Sequence, residues 1–230
     1  MYWLQEELIF PHPSHSDADG LLAIGGDLSP ERLILAYKNG IFPWFNPGEV
    51  FLWWSPDPRF VLFPNDLKVS KSMRPYFNQQ KFTVKYDTCF TEVMRQCSEA
   101  KRRGQSGTWI TDEMIDAYTK LHDLGWAHSV EVYEGDQLVG GLYGIALGSV
   151  FFGESMFAKV SNASKFGFIS LVHNLKEQGY TLIDCQQETP HLASLGAVPI
   201  PRSVFLEMMD VNNKREHKPA KWTNLFSPII

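Results

Sequence analysis

Cysteine is scarce: Cys89, Cys97 and Cys185 are the whole supply in 230 residues. Three is an odd number and no two stand in a C-x-x-C pair, so neither a disulfide framework nor a zinc knuckle is indicated. Long apolar runs are lacking too, none approaching the roughly 18 residues of a membrane span. The N-terminus, Met1-Tyr2-Trp3-Leu4-Gln5-Glu6-Glu7, carries acids where a secretory signal needs basic residues. These absences predict a cytoplasmic chain with no membrane partner. Surplus positive charge is also missing, the formal net charge being -5. A nucleic-acid partner would therefore have to be met by local Lys/Arg clusters. No internal repeat or low-complexity stretch occurs.

What is present suffices for a folded body. Apolar residues make up 44% and aromatics 13%, enough for a sizeable core. The length suits one large domain or a small lobe followed by a larger one. Residues 10–20, with His12, His15, Asp17 and Asp19, hint at a metal. A flexible entry loop is the better reading, because no helix or strand fixes their geometry.

Ser29-Pro30-Glu31 opens a helix as N-cap, N1 proline and first-turn acid, and Asn39-Gly40 closes it. The Trp- and Pro-rich stretch that follows predicts rigid aromatic surface rather than regular structure, with Trp53 or Trp54 claimed by the core. Strands are expected over 60–63 and 82–86, and helices over 90–100 and 111–124. Then come strands over 129–133, 138–146 and 150–157, a helix over 164–178 and a strand over 180–186. The helix places Phe168, Leu171, Val172 and Leu175 on one face. In this β-β-β-α-β order the last two strands flank one crossover helix. They should run parallel, with ends free to splay into a shared cleft.

Glu154 and Asp184 each interrupt a run that otherwise reads as buried. An unpaired buried carboxylate costs several kcal/mol, so each needs a partner, a ligand or a shifted pKa. For one such acid an internal salt bridge is the simpler reading; two, on strands flanking one crossover, favour a site. Basic residues cluster as Lys68, Lys71 and Arg74, and as Arg95, Lys101, Arg102 and Arg103. Solvated surface explains either cluster alone. Beside the stacking candidates Trp44 and Trp109, they also fit a single-stranded nucleic-acid end.

Six segments occur together and in order: Gly25-Gly26-Asp27-Leu28-Ser29-Pro30, Gly40-Ile41-Phe42-Pro43-Trp44-Phe45, Trp53-Trp54-Ser55-Pro56-Asp57-Pro58-Arg59, Gly107-Thr108-Trp109-Ile110-Thr111, Gly153-Glu154-Ser155-Met156-Phe157 and Asp184-Cys185-Gln186. The set resembles the bacterial leucyl/phenylalanyl-tRNA–protein transferase family. That resemblance implies an α+β fold, with a small N-terminal α/β domain over 1–62 and a GNAT-like domain over 63–230. The latter has a mixed central sheet flanked by helices. It also implies transfer of Leu or Phe, and less readily Met, from aminoacyl-tRNA to proteins with an N-terminal Arg or Lys, marking them for N-end-rule degradation. No metal and no organic cofactor is implied. In the family pattern, tryptophans matching Trp44 and Trp109 contact the 3′-terminal adenosine, and residues matching Glu154, Asp184 and Gln186 line the reaction centre.

An aminoacyl ester is already activated, so the enzyme must mainly place an amine against a carbonyl. The expected arrangement has Asp184 polarising the side chain of Gln186, which holds the amine and passes its proton on. Glu154 would hydrogen-bond the aminoacyl group or attract the cationic N-terminal residue. The basic clusters would hold tRNA phosphates. The expected aminoacyl pocket comprises Leu142, Phe151, Gly153, Met156, Phe168, Leu171 and Ile183. Leu142 stands where the family pattern has Met, and Phe168 and Leu171 swap a Leu and a Phe, so apolar volume is roughly kept.

Two rival readings share these residues. A GNAT acyl-CoA transferase has the same strand order, but the junction 157–164 has no glycine for a pyrophosphate loop. A non-catalytic RNA-end binder would leave the inward acids without a task.

Overall fold

A computed structural model describes residues 2–100, 108–215 and 219–226. Ser29 opens α1 (Pro30–Lys38): its hydroxyl accepts from the Arg32 N–H at 3.4 Å, and Pro30 occupies the first turn. Gly40 closes the helix at φ +69, where an added Cβ would stand 2.8 Å from the Phe205 ring. Backbone and packing both require glycine there.

The Trp- and Pro-rich stretch is more regular than its composition predicts. Strands β1 (Tyr2–Leu4), β2 (Leu21–Gly25), β3 (Phe42–Pro43) and β4 (Leu52–Trp54) form a four-stranded sheet in the order β1-β2-β4-β3. They are two to five residues long, too short for alternation to show in the sequence. Trp53 is fully buried, its indole N–H donating to the Gly25 carbonyl at 2.8 Å. Trp54 donates to the Trp44 carbonyl at 2.7 Å. The preceding loop satisfies its own polar groups. His12 pairs with Ser14, His15 with the Tyr2 hydroxyl, and Asp17 accepts from the N–H groups of Asp19 and Leu21.

The larger sheet has seven strands: β5 (Arg59–Leu62), β6 (Thr83–Tyr86), β7 (Ala127–Glu134), β8 (Gln137–Leu147), β9 (Val150–Ala158), β10 (Leu182–Gln186) and β11 (Val198–Ile200). Their order is β11-β5-β10-β9-β8-β7-β6. The expected β-β-β-α-β order is borne out: β7, β8 and β9 are antiparallel neighbours, and β10 lies parallel to β9. β5 falls inside the expected N-terminal stretch, yet it pairs with β10 and β11 in this sheet.

Helices cover both faces. On one lie α1, α3 (Phe90–Glu99) and α4 (Asp112–Asp123), whose Val93, Met94, Met114 and Tyr118 share a core with Leu22, Trp53 and Phe152. On the other, α5 (Ala163–Glu177) buries Phe168, Leu171, Val172 and Leu175, the face its periodicity predicts. Each such burial contributes about 1.5–3 kcal/mol. The short α2 (Arg74–Asn78) stacks Phe77 on Phe166 of α5 at 4.1 Å. After β10 come α6 (Pro190–Ser194) and α7 (Arg202–Asn213), the latter sending Phe205 and Met209 into the first core.

The site follows from how β9 and β10 part. They register through only three pairs, Leu182 with Val150, Ile183 with Phe151 and Asp184 with Phe152. Beyond these, β9 runs on to Ala158 without its neighbour. Both strands also shift register at the parting. On β9 the extra residue is Glu154, opposite the Tyr143–Gly144 step of β8; on β10 it is Cys185, opposite the Phe60–Val61 step of β5. A bulge bends its strand and re-aims the side chains beside it.

Candidate active site

The gap opens a cavity of about 810 Å³. Leu142, Phe151, Met156, Phe168 and Ile183 form its apolar wall, with Gly153 at the parting. Leu171, expected in the pocket, is not part of that wall. It is fully buried in the core under α5, one helical turn from Phe168. Trp44 and Trp109 line the same cavity although 65 positions apart in the chain, and Thr189, the N-cap of α6, and His191 within that helix also line it.

Glu154 stands where the apolar wall meets the polar end. Its Oε1 accepts from the Tyr37 hydroxyl at 2.7 Å and from Gln186 Nε2 at 2.8 Å. Its Oε2 accepts from the Tyr118 hydroxyl at 3.4 Å. The two hydroxyls also meet: Tyr37, donating to Glu154, accepts from Tyr118, whose one proton serves either this contact or the longer one to Oε2. Burial pushes the Glu154 carboxyl up to about 7, and the nearby Asp184 charge adds to that; the hydrogen bonds from Tyr37, Gln186 and Tyr118 offset only part. Burial and the Glu154 charge raise both phenols well above their ordinary 10, so both remain donors. A carboxyl poised near neutral pH takes and returns a proton at little cost, as a general base must.

Asp184 is paired away from the Gln186 amide. Both its oxygens are held by Arg59, Nε to Oδ1 at 2.8 Å and Nη2 to Oδ2 at 2.6 Å, and both side chains are fully buried. The guanidinium lies 4.8 Å from the Phe42 ring centre and 4.7 Å from that of Phe205. Asp184 does not reach the Gln186 side chain; it accepts from the Gln186 backbone N–H at 2.9 Å. Gln186 sits at φ +62, a conformation costing a residue with a Cβ about 1–3 kcal/mol unless its surroundings enforce it. The Arg59–Asp184 pair supplies that enforcement. The expected relay from Asp184 into the Gln186 amide is thus replaced by a chain from Arg59 to Asp184 to the Gln186 backbone. The Gln186 side chain turns instead to Glu154.

Sequence reasoning missed three contributors. Tyr37 and Tyr118 each sit on the apolar stripe of a helix and read there as packing. Arg59 ends the segment Trp53–Arg59 and opens β5, a strand that is buried throughout. An arginine in that position signals a buried carboxylate partner, and Asp184 interrupts the other apolar strand.

Among the described residues of the basic clusters, Arg95 stands apart from the other three. Lys68, Lys71 and Arg74 are exposed on the α5 side of the sheet, where the Lys68 N–H donates to the Leu195 carbonyl. Arg95 is exposed on α3, on the opposite side. Lys101, Arg102 and Arg103 lie outside the described residues.

A partly buried carboxyl raised toward neutral pH, an amide anchored to it and an apolar wall therefore meet at one cavity. Comparison with known proteins gives the family. Residues 61–210 match the family model for leucyl/phenylalanyl-tRNA protein transferase, and residues 26–57 match that for the N-terminal domain of the same protein. A leucyl/phenylalanyl-tRNA–protein transferase of Flavobacterium johnsoniae is 57% identical over 91% of this chain and 99% of its own length. One of Nitrosospira multiformis is 53% identical over 96% of this chain and 95% of its own. Among solved structures, L-PGS from Bacillus licheniformis aligns with a TM-score of 0.43 at 16% identity, over 73% of this chain and 55% of that one. The chain is an aminoacyltransferase. It belongs to the leucyl/phenylalanyl-tRNA–protein transferase family.

Proposed function

We propose that the apolar wall of the cavity takes the Leu or Phe side chain of an aminoacyl-tRNA, and less readily that of Met. Trp44 and Trp109 stack on the terminal adenosine. The acceptor is a protein whose N-terminal residue is Arg or Lys, and the cytoplasmic product carries an N-terminal mark for degradation. Residues 63–230 act as the catalytic body, with the N-terminal unit contributing Trp44 and Tyr37. Phosphates beyond the 3′ end meet Lys68, Lys71, Arg74, Arg95, Lys101, Arg102 and Arg103.

The reaction is one substitution at an ester carbonyl. The neutral amine attacks the carbonyl carbon, a C–N bond forms and the carbonyl electron pair moves onto oxygen. The amine's proton passes to the Glu154 carboxylate. The tetrahedral adduct then collapses, the C–O bond to the ribose breaks, and Glu154 returns the proton to the departing ribose oxygen. Gln186, anchored to Glu154 through Nε2, turns its carbonyl oxygen to the incoming amine. Asp184 and Arg59 hold the bulge that keeps Gln186 in place. General-base assistance contributes about 10²–10⁴-fold, and orientation supplies the larger share.

The observation that carries this reading is the 2.8 Å contact between Gln186 and a carboxyl poised near 7, at the end of an apolar cavity. Incubating labelled leucyl-tRNA with a peptide bearing N-terminal Arg tests it. Label in the peptide is the expected outcome. Bound tRNA with no transfer contradicts it.

A further inference from the structure

Phe151 lines the cavity from β9, and what stands behind it comes from the far end of the chain. On one side its ring lies over Gly144 of β8, where an added Cβ would sit 2.4 Å from the Phe151 Cζ. No side chain other than hydrogen fits there, because the tip of the ring closes on the neighbouring strand. The Trp222 indole backs it, with ring centres 5.7 Å apart. Phe151 thus has a rigid backbone against it and a single large aromatic behind it.

Trp222 is itself held by more than apolar packing. Its backbone N–H donates to Asp87 Oδ2 at 2.7 Å, and the same oxygen pairs with His128 Nδ1 at 2.9 Å. The His128 ring lies parallel to the indole, 3.9 Å between centres. Phe226 stacks on it at 4.4 Å. A carboxylate, an imidazole and a phenyl ring fix the indole in one orientation, and Trp222 is buried. It also lies beyond residue 210, where the match to the family model ends.

We infer that Trp222 is a specificity-positioning residue, setting the depth of the aminoacyl pocket by bracing Phe151 against Gly144. The inference rests on the proposal that this cavity receives the amino-acid side chain. Leu and Phe differ in length, so the position of the Phe151 ring decides how well each fills the pocket. A smaller residue at 222 leaves room for the ring to recede, which deepens the pocket and favours the longer side chain. Differences of one methylene in such a pocket are worth about 10–200-fold in kcat/KM.

The test compares kcat/KM for leucyl- and phenylalanyl-tRNA in the full chain carrying Trp222→Phe, Trp222→Leu or Trp222→Ala, with Phe168→Ala as a variant of the apolar wall. Melting temperatures select the variants that fold. The expected result is a graded rise in the Phe-to-Leu ratio from Trp222→Phe to Trp222→Leu, reaching about tenfold or more. Trp222→Ala extends the series if it folds; the Phe and Leu variants carry the test if it does not. A ratio within twofold of the parent in every folded Trp222 variant, with Phe168→Ala still shifting it, overturns the inference and leaves the pocket assignment standing. A ratio that no variant moves, Phe168→Ala included, overturns the pocket assignment and the inference with it.

Discussion

Gln186 donates its side-chain amide to Oε1 of Glu154 at 2.8 Å, across the point where β9 and β10 part. Neither group reaches the other through a regular strand. Glu154 is the extra residue of one bulge, and Gln186 follows the extra residue of another. Two local irregularities of the sheet therefore bring the two side chains together.

If the pair acts together, breaking it from either side has a similar effect. Gln186→Leu should lower the single-turnover rate by about 10²–10³-fold while changing the apparent affinity for leucyl-tRNA little. Rates at saturating and limiting leucyl-tRNA separate the two effects. A change confined to affinity would make Gln186 a binding residue only.

Arg59 and Asp184 form a bidentate pair without solvent contact. Removing one partner strands a buried charge, so Arg59→Met should cost about 3–5 kcal/mol in urea unfolding. Replacing both, as Arg59→Met with Asp184→Leu, should recover much of that loss while activity stays low. The backbone of Gln186 would then lose its acceptor.

Glu154 also makes stability depend on pH. Its carboxyl is raised from an ordinary 4.5 to about 7, so the folded chain binds the proton more tightly than the unfolded one. Stability from this group is complete below about pH 4.5 and declines as pH rises to about 7, by an amount on the order of 3 kcal/mol. Glu154→Gln removes that slope. Urea unfolding at pH 5 and pH 8 should show the parent losing stability relative to the variant; parallel curves would contradict the raised carboxyl.

Trp44 and Trp109 face the cavity from separate parts of the chain. Aromatic stacking on a base is worth about 1–3 kcal/mol, so Trp44→Ala or Trp109→Ala should raise KM about 5–100-fold. Leucyl- and phenylalanyl-tRNA should suffer equally, because the adenosine is common to both. A loss limited to one donor would move that tryptophan into the amino-acid pocket.

The order β7-β8-β9-α5-β10 was legible because these elements are long, largely apolar runs bounded by turn residues. The parting of β9 and β10 followed from the parallel crossover. The bulges were not legible: an extra residue exists only relative to a partner strand, and the partners of Glu154 and Cys185 lie on β8 and β5. For the same reason Asp184 and Gln186 looked like one unit in sequence and divide into support and chemistry in space. Tyr37 and Tyr118 stayed hidden because a hydroxyl at the edge of an apolar helix face reads as core. The faces on which Lys68, Lys71, Arg74 and Arg95 stand were not legible either, since only the sheet between them sets those faces.

The central claim is that Glu154, rather than Asp184, handles the proton. Its most direct test is the pH profile of single-turnover transfer from leucyl-tRNA to an N-terminal Arg peptide, for the parent, Glu154→Gln and Asp184→Asn. The parent should show a limb rising through about pH 7, the range to which burial raises the Glu154 carboxyl. Glu154→Gln should lose about 10²–10⁴-fold and keep only the limb of the peptide's own amine near about 8, while Asp184→Asn, though slower, should keep the limb near about 7. A Glu154→Gln enzyme that retains both the parental rate and the limb would contradict the account.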